Sequence, residues 1–253
     1  DDAWRVHKTV FAKSWRGTTT GSEQRRSLDQ TRTLGYLQYS ANGLESLVDA
    51  DMTLSLSWHE QHETRYRIRA DGRADVQGMD VGTLGVWGQL DIPFRSGSWK
   101  TGIEVYRDNV DSFRTDYDAD GSLRGTGIQG PVADDATYTT ADVFLQNQTM
   151  FGDHGLLVTG VRYTRASADA DAVQDPLTGE QISINDSWNN LTGSIRYSHS
   201  VENRTVFAGI SQGFRAPNGQ RLGGDLDGLG GDEGAAHVER RAHLLVLQRL
   251  GVQ

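Results

Sequence analysis

Hydrophobic and polar residues alternate one by one along several stretches of this chain. The clearest stretch covers residues 51–59, where Met52, Leu54, Leu56 and Trp58 alternate with Thr53, Ser55, Ser57 and His59. Because successive side chains of a β-strand point to opposite faces, this pattern predicts a strand with one apolar and one polar face. The same parity continues to Ile68 and places basic residues on the polar side. It therefore predicts a strand that projects beyond its apolar zone.

Comparable segments recur along residues 1–218, and the connectors between them alternate in length. Short connectors lie near residues 41–50, 93–98, 150–155 and 201–204, and long ones lie near residues 60–80, 107–137 and 166–187. An up-and-down outer-membrane barrel has tight turns at one end and extended loops at the other, so it produces this alternation. The pattern predicts an all-β fold, an antiparallel up-and-down transmembrane β-barrel fragment of about nine strands.

Two other classes of β-protein remain alternatives on this pattern alone. A soluble ligand-binding β-sandwich or barrel also joins short strands through turns and needs no membrane. A passive porin-like barrel shares the alternation of apolar and polar faces. The alternation therefore predicts the strands, but it does not distinguish these classes of β-protein.

The composition excludes several functions. Asp and Glu number 34 against 25 Lys and Arg, for a net charge of -9, which disfavours nucleic acid as a partner because binding phosphates needs a surplus of basic residues. The absence of Cys excludes disulfides and thiolate metal sites. Because no nucleophile elbow, HExxH motif or phosphate loop is present, we expect that the protein is not an enzyme.

The last segment of the chain, residues 219–253, has a different composition. It holds eight of the 30 Gly, whereas all 21 aromatic residues precede it. Residues 233–250 predict a short helix or a disordered tail and not another strand. We therefore expect a partial barrel over residues 1–218 and a non-barrel, Gly-rich and helical tail over residues 219–253. A frameshift or truncation product would explain such a tail, and an authentic linker helix is the competing interpretation.

The segment 205–218, TVFAGISQGFRAPN, carries a recognisable box at its end. Its first half alternates like a strand, and Pro217 ends the strand because proline cannot donate to a β-ladder. The box SQGFRAPN at 211–218 resembles the strand end found in the barrels of TonB-dependent receptors of the bacterial outer membrane. Residues 25–40, 134–138 and 160–171 add to this resemblance, which covers about residues 1–218.

The resemblance implies a large barrel in the bacterial outer membrane, closed by a plug domain and surrounded by membrane lipid. It also implies active uptake of a scarce nutrient too large for porins, with an iron chelate as the small-molecule ligand, energised by TonB with ExbB and ExbD. The chain departs from that plan because it contains no plug, no segment that contacts TonB and no C-terminal strand ending in an aromatic residue. We therefore expect a fragment of a receptor barrel that does not itself contact the TonB complex.

Two groups of residues are candidates for ligand binding. Arg65, Arg67 and Arg69 share the polar side of one strand and would meet an anionic ligand such as a ferric siderophore; an ion-pair network inside the barrel is the alternative interpretation. Phe214, Arg215 and Asn218 lie in the family-like box, where they either face a ligand or simply form the end of the strand.

One segment has the beginning of a calcium-binding loop. Asp116, Asp118 and Asp120 occupy the first, third and fifth positions of an EF-hand pattern, and Gly121 occupies the sixth. The twelfth position holds Gly127 in place of a bidentate Glu. Calcium in an outer loop is the one candidate cofactor, and an ordinary turn rich in Asp and Gly is the alternative.

Overall fold

A computed structural model describes residues 2–4, 23–175, 177–202, 204–216 and 237–248, the first and last of these by their backbone only. These residues form one antiparallel sheet. Its strands are β1 Asp2–Trp4, β2 Glu23–Leu44, β3 Ala50–Arg69, β4 Ala74–Phe94, β5 Gly97–Tyr117, β6 Leu123–Thr126, β7 Asp134–Phe151, β8 Gly155–Gln174, β9 Gln181–Val201, β10 Arg204–Arg215 and β11 His237–Gln248. The helical content of the described residues is a single 3₁₀ turn, Glu45–Leu47, and none of their helices is long and apolar enough to cross a membrane.

Neighbours along the chain are neighbours in the sheet. The order is β1-β2-β3-β4-β5-β7-β8-β9-β10-β11, and the short β6 pairs with the end of β5. Apart from β1 and β6, the sheet has nine long strands, which confirms the predicted all-β barrel fragment. No ladder among the described residues joins the first strands to the last, so the sheet is open.

Large apolar side chains form a continuous exposed band on one face of this sheet. The register places Leu54 beside Tyr39 on β2, and Ile103, Val143, Tyr163 and Leu191 follow in one row from β5 to β9. We call this band the apolar belt; it comprises Leu37, Tyr39, Leu54, Leu56, Trp58, Leu84, Val86, Ile103, Val105, Val143, Leu145, Val161, Tyr163, Leu191, Ile195, Val206 and Ile210, all of them exposed. A belt of exposed apolar residues on one face and polar residues on the other is typical of a barrel wall in a membrane.

The strands are longer than the alternating pattern predicted. The seven strands β2–β5 and β7–β9 contain 18 to 22 residues each. Consequently the predicted long connector at residues 60–80 is a tight turn between Arg69 and Ala74. The other two long connectors are shorter than predicted, because the strands on either side extend into them. Large apolar residues become sparse beyond the apolar belt on most strands, but the pairing between strands continues there. The four short connectors are turns, as predicted. We call the end of the sheet with the β3–β4, β5–β7 and β8–β9 connections the distal end.

The C-terminal segment differs from the prediction. Residues 237–248 form strand β11 and not a helix, and they pair with β10 from Arg204↔Gln248 to Arg215↔His237. The helix prediction was therefore wrong for these residues. The physical reason is the edge of β10, whose free backbone groups pair with a following segment and so override its local helix propensity. The proposed domain boundary at residue 218 stays a prediction.

A connecting segment covers part of the polar face at the distal end. Residues 127–133 cross beside Ser112 of β5, whose hydroxyl accepts a hydrogen bond from the Gly130 N–H at 2.9 Å. A Cβ on Gly130 would lie 2.3 Å from the Phe113 carbonyl oxygen, so only glycine permits this approach. The segment buries Ala133 against Ala170 and Val173, which form a small apolar cluster.

Candidate functional site

The polar face of β2, β3 and β4 carries an ion-pair cluster at the distal end. Arg67 Nε donates to Asp75 Oδ1 at 2.7 Å, and Arg65 Nε donates to Glu63 Oε1 at 2.5 Å. Arg69 Nη2 lies 3.6 Å from the second Asp75 oxygen. Asp75 is only 1% exposed, because these side chains and Gln77 surround it. Arg65 and Arg67 thus have carboxylate partners within the wall, and a ligand-binding role for Arg65, Arg67 and Arg69 stays a prediction.

The cluster continues onto β2. Arg26 Nη2 donates to Glu23 Oε1 at 2.9 Å, and Arg67 Nη1 lies 4.0 Å from the same oxygen. Burial lowers the pKa of Arg26 from its ordinary value, and the neighbouring Glu23 partly offsets that shift. The arginines of this polar face therefore balance buried carboxylates and also stabilise the register of three strands.

A cavity of about 330 Å³ opens beside this cluster, between the β3–β4 turn and the β5–β6 hairpin. Its lining contains Arg69, Arg73, Ala74, Arg114, Asp116, Tyr117, Arg124, Gly125 and Thr126. We call it the arginine cavity because it has four arginines and one aspartate. Three of these arginines have carboxylate partners beside the cavity, so its excess positive charge is smaller than the number of arginines in its lining.

Two turns bring these arginines together. Gly72 has a φ of +85°, and a Cβ at this position would lie 3.1 Å from the Cβ of Ala119, so the β3–β4 turn contacts the β5–β6 hairpin. Asp71 holds Arg73 in the first turn: its Oδ2 accepts from Arg73 Nε at 2.7 Å, and its Oδ1 accepts from the Arg73 backbone N–H at 3.1 Å. The side-chain hydrogen bond raises the pKa of Arg73 above its ordinary value and lowers that of Asp71.

The arginines of the cavity differ in how fully they are paired. Arg114 donates to Asp116 Oδ1 at 3.0 Å, and Arg73 is paired with Asp71. Arg69 is 41% exposed in its side chain and shares Asp75 with Arg67. The Arg124 side chain makes no hydrogen bond or ion pair with any residue that the structure describes. Guanidinium groups present planar, always charged donors, so the cavity can bind carboxylate, phosphate or another oxyanion.

The residues of the family-like box lie elsewhere. Phe214 and Arg215 end strand β10, where they pair with Val238 and His237. Phe214 shares the face of Val206 and Ile210 and is half-buried, whereas Arg215 is exposed. Neither residue lines the arginine cavity. Asn218 lies outside the described residues, and a ligand-binding role for this group stays a prediction.

The aspartates of the proposed calcium loop are distributed around a hairpin turn. Asp116 faces Arg114, and the Asp120 carboxylate accepts from the Ser122 hydroxyl at 2.6 Å and from its N–H at 2.9 Å. These hydrogen bonds, the hydroxyl first, lower the pKa of Asp120. Within the part of the chain that the structure describes, no group of three His, Asp or Glu side chains is positioned to hold a metal ion. Calcium binding by Asp116, Asp118 and Asp120 stays a prediction.

Three arginines of the cavity were absent from the candidates drawn from sequence. Arg73 and Arg124 belong to a turn and a short strand inside the segments expected to be long loops, and Arg114 belongs to the extension of β5. The alternation of Arg114 and Asp116 with Phe113 and Thr115 is the signal that could have extended β5. The contact between the two turns has no signal in the sequence.

Long antiparallel strands with short turns, an exposed apolar belt and a polar opposite face define the wall of a membrane β-barrel. The family model described as TonB dependent receptor-like, beta-barrel matches residues 3–237. The chain belongs to this family, whose members are transporters of the bacterial outer membrane and not enzymes.

Two solved structures are similar to this chain. The copper transporter OprC has 15% sequence identity and a TM-score of 0.71, with 92% of this chain and 41% of that chain covered. The ferric yersiniabactin uptake receptor FyuA from Yersinia pestis has 11% identity and a TM-score of 0.53, with 78% of this chain and 30% of that chain covered. At these identities the likeness shows the fold, and the chain spans less than half of either protein. No curated protein sequence matches the chain.

Proposed function

We propose that this chain is part of the wall of an outer-membrane receptor that actively takes up a scarce nutrient as an anionic ferric chelate, such as a ferric siderophore. The observation that carries this proposal is the arginine cavity at the distal end of the sheet. Family membership supports the transport class. In this proposal the distal end is the outer surface, because such barrels have their longer connections there.

The cavity favours a chelate over a bare metal ion. One similar structure is named for copper and the other for ferric yersiniabactin, so the two names do not distinguish these cargoes. Arg124, whose side chain has no carboxylate partner among the described residues, and the remaining donors of Arg69, Arg73 and Arg114 favour the oxyanions of a chelate over a free cation. A volume of about 330 Å³ accommodates an anionic group of such a ligand, and the rest of the ligand would contact other parts of the receptor.

Active uptake separates this proposal from a passive porin. A receptor of this family draws energy from TonB, which acts with ExbB and ExbD in the inner membrane. We infer the same coupling for the receptor that contains this chain, on the basis of family membership. Uptake should therefore stop when TonB is deleted, although binding at the cell surface should persist.

The test measures uptake of radioactive iron by cells that express the full-length receptor and no other iron receptor. Ferric citrate serves as the anionic probe and an uncharged ferric hydroxamate as its neutral counterpart. Replacing Arg73 and Arg124 together with Gln should lower ferric citrate uptake at limiting concentration by at least about tenfold, because charge-assisted hydrogen bonds contribute roughly 1.5–3 kcal/mol each. Arg95→Gln is the matched control, since Arg95 is an exposed arginine in the β4–β5 turn at the opposite end.

Three results would contradict the proposal. Equal uptake by wild type and the Arg73/Arg124 variant would remove the arginine cavity from ligand binding. Uptake that continues without TonB would indicate a passive channel. Accumulation of free copper without any ferric chelate would show that the cargo is a metal ion and not an anionic chelate.

A further inference from the structure

The apolar face of the sheet carries two exposed arginines at the distal rim of the apolar belt. Arg107 follows Val105 on β5, and Arg165 follows Tyr163 on β8, each at the next position on the same face. Val105 and Tyr163 are the last exposed apolar residues of the belt on these strands. The two arginines therefore lie where a membrane barrel passes from hydrocarbon to headgroups.

The register brings the two arginines within reach of one another. Arg107 pairs with Thr139 on β7, and Arg165 pairs with Ala141 on the same strand, two residues away. Two strand spacings across and two residues along the strands correspond to about 12 Å between their Cα atoms. Because an arginine side chain extends several ångströms, both guanidinium groups can meet on one phosphate between them.

Polar donors complete this rim site. Thr139 lies between the two arginines, and Asn189 on β9 is the register partner of Arg165. Neither arginine forms an ion pair with a described residue. The nearest outward carboxylate to Arg107 is Glu60, two strands across on β3 and two residues along, about 12 Å away; on β5 and β8 themselves Asp111 and Asp169 are four residues further on, which is about 13 Å. Asp169 already accepts a hydrogen bond from the Asn185 amide.

We propose that Arg107 and Arg165, with Thr139 and Asn189, bind the phosphate headgroup of an anionic lipid in the outer leaflet. The apolar belt directly below the arginines would contact the acyl chains of the same molecule. The charge of two guanidinium groups that have no ion-pair partner among the described residues is complementary to a phosphate, and their position favours a lipid over a soluble anion. This site lies on the opposite face from the arginine cavity, so it is independent of the transported ligand.

The test uses native mass spectrometry of the full-length receptor in detergent, with dioleoyl phosphatidic acid as the probe. The wild-type receptor should retain a bound phosphatidic acid, and Arg107→Gln together with Arg165→Gln should lower the bound fraction at limiting lipid by about tenfold, the loss expected for a charge-assisted contact. Arg204→Gln is the matched control: Arg204 is exposed on the same face at the opposite rim, and no second arginine with a described side chain lies beside it there. It should leave binding unchanged.

A second double substitution distinguishes a loss of lipid binding from a folding defect. Arg107→Lys with Arg165→Lys keeps both charges but loses the planar fork, so its binding should fall between wild type and the Gln variant. Unchanged heat-modifiable migration on gels establishes that each variant is folded.

Several outcomes would overturn the proposal. Undiminished binding in the Gln variant would exclude these arginines. Equal retention of dioleoyl phosphatidylcholine would indicate adsorption to the belt without recognition of the phosphate. Displacement of the lipid by millimolar inorganic phosphate would indicate a soluble anion as the occupant. A wild-type receptor that retains this lipid but does not take up iron would contradict the proposed function and would leave the lipid site supported.

Discussion

Asp71 shows how a single carboxylate fixes the geometry of a candidate site. Its hydrogen bonds to the Arg73 side chain and N–H lower its pKa from the ordinary value of 3.8. A group whose pKa is lowered by folding contributes stability above its unfolded pKa, and this contribution is lost as the pH falls through the folded value. The β3–β4 turn should therefore be intact at neutral pH and should loosen only below about pH 4.

This expectation can be measured by NMR on the receptor labelled with ¹⁵N-arginine. The Arg73 amide and Nε resonances should shift together as the pH falls below about 4. Asp71→Asn removes the titrating group but keeps an acceptor oxygen, so the transition should disappear. If the substituted receptor showed the same transition, another group would be responsible for it.

The sequence contained only part of the candidate site. The parity of residues 63–69 correctly placed Arg65, Arg67 and Arg69 on one polar face. The partner of Arg65, Glu63, lies on the same face of the same strand, but the partners of Arg67 and Arg69 could not be read from the parity, because Asp75 and Glu23 come from neighbouring strands through the register. Arg73, Arg114 and Arg124 were missed because the contact between Gly72 and Ala119 is a tertiary one.

At the scale of elements, the connection between β6 and β7 depends on one glycine. A Cβ at Gly130 would meet the carbonyl oxygens of Phe113 and Gly78 at 2.3 and 2.8 Å. Because these are backbone atoms, they cannot move aside. Gly130→Ala should detach residues 127–133 from the polar face and expose the cluster of Ala133 and Val173.

Hydrogen–deuterium exchange on the full-length receptor checks this prediction. Peptides covering residues 127–134 should exchange at least about tenfold faster in Gly130→Ala, as expected for a loss of more than 1.4 kcal/mol in local stability. Gly125→Ala is the matched control, since a Cβ there would meet nothing within 4 Å. Equal exchange in both variants would mean that the segment tolerates the extra methyl group.

Strand length was the main error at this scale. The alternation of apolar and polar residues gave the position of the strands within the belt, and the four short turns were correct. Along β3 the alternation continued beyond the belt to Ile68, whereas on most other strands large apolar residues became sparse there although the hydrogen-bonded ladder continued. Strand β11 was missed for a related reason: its pairing with β10 depends on an available edge and not on its own pattern.

At the scale of the whole molecule, the sheet is open, and its outer edges lack partners among the described strands. Exposed backbone groups at such an edge cost several kcal/mol each within hydrocarbon. Residues 1–253 expressed alone should therefore not insert stably into a membrane, whereas the full-length receptor should.

Gel migration with and without boiling distinguishes the two cases. The full-length receptor should show the heat-modifiable shift of a closed barrel, and residues 1–253 in the same detergent should not. A heat-modifiable shift for residues 1–253 would mean that they close their edges, by themselves or between copies.

The family itself was predictable from sequence, because the SQGFRAPN box and the supporting segments resembled it and the family match over residues 3–237 confirms it.

The length of the strands has a consequence for how a ligand arrives. From Trp58 at the rim of the apolar belt, β3 continues for eleven residues to Arg69, which at about 3.3 Å per residue and a tilt near 40° raises the arginine cavity by about 28 Å. That height is several times the Debye length of about 8 Å in physiological salt. Salt therefore screens the arginine cavity from the anionic headgroups at the membrane surface. In physiological salt the cavity attracts a chelate only over about one Debye length. The association rate should therefore rise when the salt concentration is lowered.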